Sequence, residues 1–106
     1  MRFWYWYVSR IDRKAEVTFL NYGFAPENDV DSVSDGLNKY PLGLYRHVVD
    51  PVDLEGKKVL EVGSGRGGGA SYLKSEFSPA RVDALDICPN AVSFSQRHHG
   101  RDGLEF

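Results

Sequence analysis

Cysteine is nearly missing from this chain: Cys88 stands alone among 106 residues, so no disulfide can close within it. A lone cysteine also agrees with a reducing compartment. No apolar run approaches the roughly 18 residues that a membrane-crossing helix needs. An excess of one charge sign is missing as well. Thirteen Lys and Arg stand against 15 Asp and Glu, and a formal net charge of −2 gives no electrostatic case for binding nucleic acid. The first eight residues are too few and too aromatic for a secretory leader core, and no small-residue cleavage site follows them. A cytoplasmic protein is therefore expected. Internal repeats and low-complexity tracts are absent. So is any local Ser/His/Asp or Cys/His set suited to nucleophilic catalysis.

What is present fits one small globular unit. Hydrophobic residues make up 42% and charged residues 26%, enough for a modest core. Glycine is concentrated rather than scattered: five of the seven residues from Gly63 to Gly69 are Gly. Val59, Leu60 and Val62 before them read as a short buried strand, and Ala70-Ser71-Tyr72-Leu73 after them as a helix. Strand, Gly-rich turn and helix start together make a cofactor site of nucleotide type, because the helix's first N–H groups face the ligand.

The rest of the chain brackets that turn. Phe3 to Tyr7 are five consecutive aromatics flanked by Arg2, Arg10, Arg13 and Lys14. They read as cover for an apolar surface, with peripheral membrane contact as the alternative. Residues 15–24 suit either a short helix or an extended arm, and 25–36 form an acidic loop. Pro41 sits in the first turn of a helix whose apolar face is Leu44, Tyr45, Val48 and Val49, and Pro51 ends it. Beyond the Gly-rich turn, Ala70, Leu73 and Phe77 mark a sheet-packed helix. Residues 81–87 then read as a second strand ending near Asp86. Pro89 opens a further helix with Ala91, Val92 and Phe94 on its apolar side, and Leu104-Glu105-Phe106 begins a third strand. His98 and His99 are adjacent, so on a helix they point about 100° apart and do not chelate a metal by themselves. No metal site is expected.

Gly63-Ser64-Gly65-Arg66-Gly67-Gly68 fits G-x-G-x-x-G, and Asp86 lies 23 residues beyond Gly63, where an acid that binds ribose hydroxyls is expected. NAD and S-adenosylmethionine (SAM) both satisfy that spacing. Glu61, inside the strand, separates them. A carboxylate there repels a pyrophosphate but suits the cationic amino group and sulfonium of SAM.

The run Glu61-Val62-Gly63-Ser64-Gly65-Arg66-Gly67-Gly68 closely resembles the first motif of class I SAM-dependent methyltransferases. Phe19-Leu20-Asn21-Tyr22-Gly23-Phe24, Leu44-Tyr45-Arg46, Val59-Leu60-Glu61-Val62 and Gly67 to Leu73 are similar to the phthiotriol/phenolphthiotriol dimycocerosates methyltransferase family, whose members methylate a hydroxyl of a long-chain lipid. The resemblance implies an α/β fold, an incomplete Rossmann-like class I methyltransferase unit made of the first βαβα elements of a mostly parallel sheet. A helical, aromatic N-terminal segment precedes it. Residues 1–50 are then a cap segment and 51–106 the N-terminal part of a SAM-binding domain. Glu61, Gly63, Ser64, Gly65, Gly67, Asp86 and Ile87 are the expected cofactor residues, with Asp86 on the ribose and Glu61 at the amino-acid end. No catalytic base can be assigned. The implied substrate is a lipid or other small molecule.

In the class I fold, strand 1 lies centrally between strands 2 and 4. The expectation here is an N-terminal part without activity alone, its first strand left as an open edge. Two other readings stand beside it. One is a non-catalytic half-domain that pairs with a partner chain through that edge, and the other is a fragment of an NAD(P)-binding oxidoreductase.

Overall fold

The structure, a computed structural model, describes residues 3, 7, 8, 11, 12, 14–25, 36 and 38–106. Trp4, Tyr5, Trp6 and most of the acidic loop lie outside the described residues. Phe3, Tyr7, Val8 and Ile11 are helical, and residues 15–20 run on without helix or strand. Of the two possibilities for 15–24, the extended arm is the one observed.

Six named elements follow from Lys39 onward: helix α1 (Lys39–Val49), strand β1 (Lys58–Val62), helix α2 (Gly68–Glu76), strand β2 (Arg81–Leu85), helix α3 (Pro89–His99) and strand β3 (Leu104–Glu105). Pro41 falls in the first turn of α1, where its missing N–H leaves no helical bond unmade. The Asp50 N–H closes that helix on the Arg46 carbonyl at 2.8 Å, and Pro51 follows at once. Pro89 opens α3, whose fixed φ suits a first helical position.

The three strands form a parallel sheet in the order β1-β2-β3. Val59 faces Val82, and Glu61 faces Ala84. Val82 in turn faces Leu104. Partners in register share a face, so Val59, Glu61, Val82, Ala84 and Leu104 lie on one side of the sheet. That side is the core. Ala70, Val82, Ala84 and Leu104 are buried together, with Val59 and Phe106 packed against them. Ala91 and Phe94 of α3 and Leu73 of α2 are buried as well.

Among the described residues, the aliphatic side chains on the opposite face are largely exposed. Leu60 is 62% exposed, Val62 76% and Leu85 52%. Beside them Arg81 pairs with Asp83 at 2.7 Å and with Glu105 at 2.9 Å. The expectation of a buried first strand is thus corrected: Val59 packs inward, while Leu60 and Val62 do not. The reason is alternation on a sheet covered on one side, with β1 at its edge. Val48 likewise stands out from α1, 66% exposed, although the helix spacing grouped it with Leu44, Tyr45 and Val49.

Candidate functional site

The chain leaves β1 through a turn that only glycine enters without strain, with φ of 82° at Gly63, 55° at Gly65 and 79° at Gly67. This left-handed path turns the amides back toward β2. The Gly63 and Ser64 N–H groups both donate to the Leu85 carbonyl, at 2.7 and 2.9 Å. The Gly65 N–H donates to Oδ2 of Asp86 at 2.8 Å. Oδ1 of Asp86 accepts from the Cys88 N–H, also at 2.8 Å. Asp86 therefore fastens the turn to the end of β2, and its remaining lone pairs are available to a ligand. Ile87 beside it is 86% exposed. Val62, Leu85 and Ile87 form an apolar fringe outside the carboxyl ends of β1 and β2, where ligands of open α/β sheets sit.

The start of α2 differs from expectation. Its first residues, Gly68, Gly69 and Ala70, are buried. A Cβ on Gly68 would come within 2.7 Å of the Thr18 carbonyl and 3.0 Å of the Phe19 ring. The extended arm crosses there. Between arm and turn lies a cleft of about 400 Å³, lined by Thr18, Phe19, Asn21, Tyr45, Gly63, Ser64 and Gly65, among others. A Cβ on Gly63 would meet nothing within 4 Å, so the turn has open space at its own surface.

Glu61 sits on the covered face of β1. The Tyr45 hydroxyl donates to its Oε1 at 2.5 Å. Among the described residues nothing partners its buried Oε2. Burial pushes the Glu61 carboxyl up from its ordinary value, and the Tyr45 hydrogen bond only partly opposes this. Burial, with Glu61 next to it, pushes the Tyr45 phenol up too, so the phenol stays a donor. The Tyr45 ring also meets Phe19 edge-on, at 6.1 Å between centroids. On its other side the pair opens onto a groove of about 720 Å³, mostly apolar, lined by Leu44, Val48, Val49, Val59, Leu60 and Leu73 among others.

Arg66, the charged residue of the Gly-rich turn, points inward. It is 1% exposed, its guanidinium lies 3.7 Å from the Phe94 ring centroid, and its Nη2 is 3.0 Å from Oδ2 of Asp12. Asp12 also accepts from the Glu16 and Val17 N–H groups, at 3.1 and 2.9 Å. Burial raises the Asp12 carboxyl, but these two N–H groups and Arg66 outweigh it and hold it below its ordinary value.

The structure thus gathers Gly63, Ser64, Gly65, Asp86 and Ile87 around the ends of β1 and β2, with Glu61 one strand-length step behind the turn. Gly67 caps α2 and is turned away, toward Phe106 and Ser95. Tyr45, Arg66 and Asp12 were not anticipated at the site. The one available signal was Glu61 itself, since a carboxylate within an apolar strand calls for a donor, and Tyr45 on the preceding helix is one.

A three-stranded parallel sheet with helices between its strands, a Gly-rich turn after the first strand and an acid after the second, is consistent with part of a Rossmann-like α/β fold. Among known proteins, the chain is similar to methyltransferases. No family model matches the chain. A fatty-acid O-methyltransferase of Mycolicibacterium smegmatis is 44% identical over 96% of the chain and 38% of its own length. The probable phthiotriol/phenolphthiotriol dimycocerosates methyltransferase 2 of Mycobacterium ulcerans is 35% identical over 99% of the chain and 42% of its own length. The phthiotriol/phenolphthiotriol dimycocerosates methyltransferase of Mycobacterium tuberculosis strain H37Rv is 35% identical over 99% and 40%. A solved Haloferax volcanii complex of the Trm112 methyltransferase activator with a methyltransferase aligns to 53% of this chain and 24% of that one, at 30% identity and a TM-score of 0.48. The resemblance to methyltransferases holds, and the chain spans about two fifths of the length of these curated relatives.

Proposed function

We propose that this chain carries the SAM-binding part of a methyltransferase acting on a lipid or related small molecule. One observation carries the cofactor reading. The N–H groups of Gly63, Ser64 and Gly65, which a pyrophosphate would need, are already donated to Leu85 and Asp86. The turn therefore offers a ligand carboxylates and open glycine surface in place of amide donors. That suits hydroxyls and a cation and does not suit an anion, which weighs against the NAD(P) reading.

SAM fits the residues present. The partnerless Oε2 of Glu61 is a buried acceptor for an ammonium group, and the open space at Gly63 accommodates a ligand pressed to the backbone. Asp86 holds ribose hydroxyls through the lone pairs its two amide bonds leave unused. Ile87 and Leu85 offer apolar surface to the base. When bound, SAM supplies an electrophilic methyl group. These residues bind and orient it. Residues 1–50 act as a cap over this site and 51–106 as its floor.

The relatives' names support a lipid substrate, and the apolar groove beside Tyr45 gives an acyl chain a place next to the cofactor cleft. Phe3 and Tyr7, 76% and 46% exposed, support peripheral contact with a membrane; no described helix is long and apolar enough to cross one. The exposed edge residues Leu60 and Val62 favour a second reading, a unit completed by a partner chain along β1.

Titration calorimetry of the chain with SAM and, separately, with NAD tests the cofactor. SAM is expected to bind, Asp86→Ala to weaken it by about 10-fold or more through lost charge-assisted hydrogen bonds, and NAD not to bind. NAD binding without SAM binding overturns the reading.

A further inference from the structure

Glu61 presents an unusual balance. Its carboxylate is sunk between α1 and β1, one oxygen held and the other left over. A buried carboxylate is costly unless both oxygens find partners, so an arrangement that satisfies one and leaves one is a waiting arrangement. Among the described residues the satisfied oxygen is held from α1 by the Tyr45 hydroxyl, and what lies between contributes only space. Gly69 is that space. A Cβ on Gly69 would lie 1.8 Å from Cζ and 2.0 Å from the hydroxyl oxygen of Tyr45. Glycine inside a helix lowers helix stability, yet here it is the only residue that lets the phenol cross the first turn of α2 and reach β1. Tyr45 also lines the cleft beside Gly63, Ser64 and Gly65. Glu61 itself lines the apolar groove, which Tyr45 also lines, so the phenol stands as the wall between carboxylate and cleft.

We propose that Tyr45 is a positioning residue of this site: by donating to Oε1 of Glu61 across Gly69, it fixes the carboxylate so that Oε2 receives the ammonium of an aminoacyl-bearing nucleoside. The inference rests on the SAM reading given above and extends it. It makes the recognition of the cofactor's amino-acid end depend on a helix outside the Gly-rich motif. The adenosine end depends on Asp86 and is independent of Tyr45.

Two ligands separate the ends. S-Adenosylhomocysteine carries the ammonium, and 5′-methylthioadenosine keeps the nucleoside and sulfur but lacks the amino-acid group. Binding of both to the whole chain is measured by calorimetry for wild type, Tyr45→Phe and Gly69→Ala, with circular dichroism confirming the fold. Loss of a hydrogen bond to a charged group predicts about 10-fold weaker binding of S-adenosylhomocysteine to Tyr45→Phe, with 5′-methylthioadenosine held within about 2-fold. Gly69→Ala, which displaces the ring without removing it, reproduces the selective loss and serves if Tyr45→Phe does not fold. In a Glu61→Gln background, Tyr45→Phe adds no further selectivity change. Equal weakening of both ligands, or of neither, overturns the role of Tyr45 while leaving the cofactor reading intact. Failure of the wild-type chain to bind either ligand overturns the cofactor reading, and this inference with it.

Discussion

Glu61 decides how the site responds to pH. Burial raises its folded-state value above the ordinary 4.5, so folding takes up a proton at this position. The stability that goes with the protonated form is fully present below the ordinary value. It is lost as pH rises through the raised value. Each pH unit between the two values costs up to about 1.4 kcal/mol. Urea denaturation from about pH 4 to 8 is expected to show wild type losing stability over that window and Glu61→Gln losing less. The same carboxylate is thus a burden on the fold and, in the proposed reading, an asset to the ligand. A bound ammonium offsets the burden, so saturating S-adenosylhomocysteine should flatten the wild-type profile.

At the scale of elements, the buried ion pair ties the N-terminal segment to the Gly-rich turn. Asp12→Asn leaves Arg66 charged, buried and unpaired, and is expected to cost about 3–5 kcal/mol in denaturant unfolding. Arg66→Met removes the charge and keeps the packing on Phe94, so it should cost clearly less. None of this was visible in the sequence, because nothing in the local pattern links residue 12 to residue 66. The turn itself was legible. Five glycines after an apolar run have few backbone solutions, and Asp86 followed from spacing. The three strands and the helices after Pro41 and Pro89 were legible from punctuation. Sidedness was not. Val59, Leu60 and Val62 look alike in sequence, and only the sheet's register and its single covered face distinguish them. Tyr45 read as one more apolar helix position because its partner lies on another element. Leu104 and Leu60 make the contrast measurable. Leu104→Ala, at 1% exposure, should cost about 2–5 kcal/mol, and Leu60→Ala, at 62%, less than about 0.5 kcal/mol.

At the scale of the whole molecule, the sheet is dressed on one side among the described residues. Helices cover Val82, Ala84 and Leu104, while Leu60, Val62 and Leu85 meet water on the other side, along an edge whose backbone is open to pairing. Concentration-dependent self-association is expected in sedimentation velocity. Leu60→Lys with Val62→Lys should suppress it without lowering the denaturation midpoint appreciably, since neither side chain belongs to the core. The composition of that bare face has a consequence for handling. Its charges, Arg81 with Asp83 and Glu105, lie beside its aliphatic residues. Added sulfate screens the charges and strengthens apolar association together. Both effects push the same way, so the protein should salt out over a narrow range of ammonium sulfate, and the lysine variants should precipitate later.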